Sequence, residues 1–197
     1  MAREVMLVCE DQVGAALLER LIRDRRPTLE VYATQIKGSN SQIKAQLDKY
    51  INASRNGVRH IILTDLDNYT CAPSLLAKWA VPVVPGFLCF RVAVHEAEAW
   101  LMADKEALST FLQLPIAQIP HLPDAVPDPK QSLLNLVRRS RVKDLRRDIL
   151  PEVGSFASKG ILYNERWCGF IHHEWDPARA AQRSDSLRRA IGRLALL

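Results

Sequence analysis

The sequence predicts an α/β fold, a small and mostly parallel sheet with helices on both faces and a helical carboxyl-terminal extension. Three observations predict it. Through the first 112 residues, short apolar runs alternate with stretches of helical periodicity, the pattern of right-handed βαβ crossovers. The runs at 61–63 and 87–94 are apolar almost without interruption, as strands buried on both faces are. Beyond Leu112, prolines and amphipathic segments replace the strand runs.

Taken in order, residues 4–9 read as a first strand. Over 12–25, Val13, Leu17 and Leu21, with Leu18 and Ile22, recur at every fourth position, which predicts a helix that Pro27 stops. Residues 29–35 alternate as a second strand. Ser39-Asn40-Ser41 can cap a helix over 41–54, with Ile43, Leu47, Tyr50 and Ile51 on one face. Residues 59–64 form the third strand, and Pro73 suits the first turn of a short helix through Trp79. Residues 87–94 form the fourth strand, and Glu96 to Leu112 a helix or helix pair. Pro115, Pro120, Pro123, Pro127 and Pro129 forbid a continuous helix and predict a fixed loop. Helices over 130–139 and 142–149 follow, then an irregular stretch, then a last helix from Ser184 with Leu187, Ile191 and Leu194 as its apolar stripe. The expected division is an α/β core over 1–112 and a helical extension over 113–197, packed together as one compact domain.

Composition is that of an ordinary globular protein, with 48% hydrophobic and 25% charged residues. Cys9, Cys71, Cys89 and Cys168 show no C-x-x-C spacing, which argues against a zinc ribbon or redox pair and favours a reducing cytoplasm. The amino terminus runs straight into a strand, so no signal peptide is expected, and no run approaches the ~18 apolar residues of a membrane span. The net charge of +5 permits contact with nucleic acid without demanding it.

The candidate site is a set of acids where apolar runs stop. Glu10 ends the first strand, Asp65 and Asp67 follow the third, and Glu96 and Glu98 follow the fourth. In an open parallel sheet the carboxyl ends of the strands form one crevice, where ligands bind. Like charges about 4 Å apart repel by roughly 4 kcal/mol at an effective dielectric near 20, so clustered carboxylates call for a proton or a cation. The expected cation is Mg²⁺ or Mn²⁺, bound by Glu10, Asp65, Asp67, Glu96 and Glu98. If the chain stays extended through 65–67, both aspartates face one side; alone, the pair is as readily an Asx-type turn. Glu96 and Glu98 would stand about 200° apart on an ideal helix, so both serve one site only where the segment is extended or turning.

Other motifs give less. His95-Glu96-Ala97-Glu98-Ala99 lacks the second histidine of a zinc-protease helix. The basic stretch Arg138 to Arg147 is a candidate phosphate-backbone contact, although Val142, Leu145 and Ile149 also make it a plain amphipathic helix. His172-His173-Glu174 reads as structural or loop surface. Gly14 and Gly38 are isolated, so no phosphate-binding loop for ATP or NAD is present.

Glu10 with Asp65-x-Asp67 resembles the TOPRIM domain of topoisomerases, primases and OLD-type nucleases. The segment His95 to Asp104 is similar to the HExEA[LW] signature of a bacterial TOPRIM-like family of unknown function, often encoded beside ABC-type ATPases in phage-defence settings, and Asp176 to Ala180 with Ser184-x-Ser186-Leu187 also looks like its members. Asp11 stands where TOPRIM domains commonly have glycine, and Tyr69 where topoisomerases commonly carry a third acid; both point away from a topoisomerase. The resemblance implies a TOPRIM/Rossmann-like sheet and two-metal hydrolysis of DNA or RNA, with ions about 3.5–4 Å apart. It assigns Glu10, Asp65 and Asp67 to one ion and Glu96 and Glu98 to the second, with Lys130 or Lys159 as candidate stabilising cations. The rival from the same resemblance is a non-catalytic, metal-binding partner subunit of an ABC-type ATPase; a homo-oligomer is compatible with either. A haloacid-dehalogenase-type phosphatase carries its D-x-D after the first strand rather than the third, and a receiver domain does not explain the long extension.

Overall fold

The computed structural model describes residues 3–197. Four strands, β1 (Arg3–Cys9), β2 (Leu29–Ile36), β3 (His60–Asp65) and β4 (Leu88–Ala93), form an all-parallel sheet in the order β2-β1-β3-β4. The register pairs Leu7 with Ile61 and Asp65 with Ala93, and β1 slips by one residue against β2 between Val5 and Met6. Because β1 and β3 are neighbours, and β3 and β4 are too, the three acid-bearing strand ends share one edge.

The first half is wound by α1 (Gln12–Arg25), α2 (Asn40–Ala45), α3 (Leu47–Arg55) and α4 (Ala72–Lys78). Asp11 caps α1 by accepting the Gly14 N–H at 2.9 Å, and the helix closes at Arg26, just before Pro27. The helix expected over 41–54 is two helices. Gln46 breaks it with a turn-like ψ of 4°, and its side-chain oxygen takes hydrogen bonds from Lys37 and Tyr50 instead. The second half contains α5 (Glu98–Ala103), α6 (Lys105–Leu112), α7 (Pro129–Arg139), α8 (Lys143–Ile149), α9 (Tyr163–His173), α10 (Pro177–Ala180) and α11 (Asp185–Leu194), and the proline-rich loop holds two 3₁₀ turns.

The stretch expected to be irregular after 149 is therefore corrected by α9 and α10. Tyr163, Trp167, Phe170 and Ile171 are all buried on α9, and the helix packs against α1. His172 and His173 form its last turn rather than a loop; the carbonyls of Ile171 and His172 accept the Arg20 guanidinium at 2.8 and 3.1 Å.

Alternation along each strand divides the core in two. Val5, Leu7, Ile61, Leu63, Cys89 and Ala93 face one layer, built on α1, α5, α7, α9 and α11. Val8, Ile62, Phe90 and Val92 face the other, built on α3 and α4. Trp167, Trp175 and Leu187 lie in the same buried cluster as Val5 and Leu7, so residues beyond 112 help to cover the sheet. Among the described residues, no helix is long and apolar enough to cross a membrane.

Gly160 ties the loop after α8 to the helix. Its N–H donates to Ile149 at 2.8 Å, and an added Cβ would lie 2.6 Å from the Leu150 carbonyl oxygen and press on that of Asp148 as well. These obstacles are backbone, which cannot rotate away. Gly160→Ala is expected to cost about 2 kcal/mol, the usual scale of overpacking, read as a lower midpoint in urea with an unchanged slope.

Candidate functional site

The carboxyl edge of the sheet is assembled by hydrogen bonds between acids and backbone. Glu10 follows the last residue of β1, and its Oε1 accepts the Thr64 hydroxyl at 2.6 Å and the Asp65 N–H at 2.7 Å. That pair fixes Glu10 across the β1–β3 junction. Asp65 closes β3, and its Oδ1 accepts the Ala97 N–H at 2.9 Å, reaching the turn between Glu96 and Glu98. Glu96 Oε2 accepts the Lys130 N–H at 2.8 Å, in the first turn of α7. Glu98 opens α5 and is 2% exposed; its Oε1 accepts Tyr163 Oη at 2.8 Å and lies 3.5 Å from Lys130 Nζ. Glu10, Asp65, Glu96 and Glu98 are thus linked through one continuous set of contacts.

Two conditions set by the sequence resolve differently. After Val94 the chain turns, with Glu96 N–H donating to Val94 and His95 in the left-handed region at φ 58°, and this turn brings Glu96 and Glu98 to the same lysine. The extended geometry on which the Asp65/Asp67 pairing was premised is not adopted. β3 ends at Asp65, Leu66 is buried, and Asp67 is left-handed at φ 46°, a conformation that aspartate tolerates better than most residues. Asp67 is exposed and accepts a hydrogen bond from Asn40 at the start of α2; its charge acts on Glu10.

Electrostatics follow from this crowding. Burial holds the Asp65 carboxyl well above its ordinary range, with Glu10, Glu98, Asp11 and Glu96 adding to the effect. Burial also raises Glu10, against the Thr64 and Asp65 donors, which lower it. Glu96 is raised by burial, partly offset by the Lys130 N–H. For Lys130 burial acts downward, but Glu98, Asp11, Glu96 and Asp65 outweigh it and the ammonium is held above its usual value. Burial and then Glu98 push the Tyr163 phenol upward, so it stays a donor. Among the described residues, Lys130 is the one cation ion-paired with any of these acids.

The donor set suits a hard cation. Glu10, Asp65, Glu96 and Glu98 each have one oxygen engaged as above and a second with no protein donor among the described residues. Among the described residues, no group of three or more His, Cys, Asp or Glu side chains is placed to hold a metal ion. Mg²⁺ does not require such a group, since it keeps several waters and takes one or two carboxylates. The engaged oxygens anchor each carboxylate in place.

Sequence reasoning left Tyr163 out and did not place Lys130. The signal for Tyr163 was present in the helical spacing of Tyr163, Trp167 and Ile171. Lys159 lies beside the site rather than in it, with Nζ 4.8 Å from the Tyr163 ring centroid and hydrogen-bonded to Asn164.

No protein-family model matches the chain, and no curated protein does. A solved structure to which it is similar is the C-terminal region of the Burkholderia pseudomallei OLD protein, 15% identical, with 97% of this chain and 99% of that chain covered and a TM-score of 0.44. At this distance the likeness assigns neither a family nor an activity.

Proposed function

We propose that this chain is a Mg²⁺-dependent, TOPRIM-like nuclease that hydrolyses phosphodiesters of DNA or RNA, with phage defence or DNA processing as its setting. The observation that carries the reading is Asp65. It is half-buried, pressed by four other acids, anchored through one oxygen, and left with the other free at the carboxyl edge of the sheet. Glu10 and Asp65 would hold the ion, Glu96 and Glu98 would complete its surroundings or hold a second, and exposed Asp67 would enter from the α2 side. When bound, Mg²⁺ supplies positive charge that polarises a phosphoryl group. Lys130 holds Glu98 in place and offers its ammonium to a phosphate oxygen, where fixed charge favours the transition state. Tyr163 keeps the Glu98 carboxylate oriented.

The nucleic-acid part draws on α7. Its first turn carries Lys130 and its far end leads into Arg139, Arg141 and Lys143, which are exposed and have no carboxylate partner among the described residues. At ~1.5 Å per residue, Arg139 lies about 13 Å along the helix from Lys130, a span of a few nucleotides.

Incubating the purified chain with plasmid, single-stranded DNA and RNA under Mg²⁺ or Mn²⁺ tests this, with Glu10→Ala and Asp65→Ala as controls. Cleavage lost in both variants is the expected result, and cleavage that survives both removes the proposed site. Cleavage only after an ABC-type ATPase is added would favour the partner-subunit reading.

A further inference from the structure

Away from the acids, the outer edge of β4 carries a charge with no ion-pair partner among the described residues. Arg91 points from β4 toward α11, is half-buried, and its Nε is fully buried without a hydrogen-bond partner among the described residues. The guanidinium makes no ion pair among the described residues. Arg193 and Arg189 lie one turn apart on α11 beside it; burial holds the Arg91 pKa down, Cys89 opposes this, and Arg193 and then Arg189 add smaller lowering effects. An arginine does not discharge to escape such a place, so an anion is the remaining remedy.

Arg91 lines a cavity of about 450 Å³ between α4, the end of β4 and α11, and Arg189 stands at its rim. Leu66, Leu76, Val92 and Val94 give it an apolar wall. None of Glu10, Asp65, Asp67, Glu96 or Glu98 lines it. Asp185 is shared between Arg188 and Arg189, and Asp124 is turned to the Ser184 hydroxyl and the Ser186 N–H. The cavity lining carries two guanidiniums (Arg91, Arg189) and two carboxylates (Asp124, Asp185), and with both carboxylates engaged elsewhere Arg91 is the lining charge without an ion-pair partner among the described residues. A phosphomonoester brings three strong acceptor oxygens, enough to meet Arg91 and Arg189 together.

We propose that this cavity binds a small phosphomonoester with an apolar or ring-bearing body, the phosphate on Arg91 and Arg189 and the body against the Val92–Leu76 wall. Adenosine monophosphate is the probe, added to the full chain in EDTA so that the acid cluster takes no part, and binding is read by calorimetry. Saturable binding is expected, at least tenfold weaker in Arg91→Met and unchanged in Asp65→Asn. Adenosine and inorganic phosphate, each carrying half of the recognised chemistry, should bind at least tenfold more weakly than the monophosphate. In the absence of ligand, Arg91→Met should melt at or above the wild-type temperature, because it removes an unanswered charge; a structural arginine would give a lower one. No binding, equal binding to Arg91→Met, or loss in Asp65→Asn with retention in Arg91→Met would overturn the assignment. Inorganic phosphate binding as tightly as the monophosphate would overturn the role of the apolar wall.

Discussion

Asp65→Asn is expected to abolish Mg²⁺-dependent cleavage while making the metal-free protein more stable. The activity loss follows from the role of the free Asp65 oxygen. A metal contributes several kcal/mol of transition-state stabilisation and ~1.4 kcal/mol is tenfold in rate, so a drop on the order of a thousandfold is expected. The stability gain follows from crowding, since the amide keeps an oxygen for the Ala97 N–H but places no charge among Glu10, Asp11, Glu96 and Glu98. A rise of about 3 °C in melting temperature corresponds to ~1 kcal/mol for a chain of this size.

The pH dependence has a definite sign. Asp65, Glu10 and Glu96 all have folded pKa values above their ordinary 3.8, 4.5 and 4.5. A carboxyl raised on folding holds its proton more tightly in the folded chain. Its stabilising contribution is therefore complete below the ordinary value and is lost as pH rises through the raised one. In EDTA, the melting temperature of the wild type should fall as pH rises above the ordinary carboxylate range, more steeply than that of Asp65→Asn, and Mg²⁺ should flatten the difference. Equal slopes in calorimetric scans would contradict the crowding.

Lys130→Met should act in the opposite direction on stability. It leaves Glu98, which is 2% exposed, with the Tyr163 hydroxyl as its remaining partner. Removing one member of a buried ion pair typically costs about 3–5 kcal/mol; with Lys130 itself one-third exposed, about 3 kcal/mol is expected. That lowers the melting temperature by roughly 6–12 °C. Cleavage should also fall, since Lys130 faces both glutamates. A Lys130→Met protein as stable as wild type would show that Glu98 does not depend on the ammonium.

How much of this was legible in the sequence depends on the range of the interaction. The α1 helix and the strand runs are written in near-neighbour periodicity, and they are present at close to their expected bounds. The convergence of Glu10, Asp65, Glu96 and Glu98 was legible because strand order places their ends on one edge. What the sequence hid lies in backbone detail and long-range contact. Left-handed Asp67 turns its carboxylate toward Asn40, and no spacing rule distinguishes that from a continuing strand. Lys130 and Tyr163 meet Glu98 from 32 and 65 positions away. The α9 helix was obscured by Pro151, Gly154, Ser155 and Gly160 immediately before it, which make the whole segment read as loop.

The central claim, that the carboxyl-edge acids hold a divalent cation, is tested most directly by Mn²⁺ binding followed by electron paramagnetic resonance. Wild type should bind Mn²⁺ saturably and release it to excess Mg²⁺, and a Glu10→Gln/Asp65→Asn double variant that remains folded should lose that binding. Undiminished Mn²⁺ binding in the folded double variant would contradict the account.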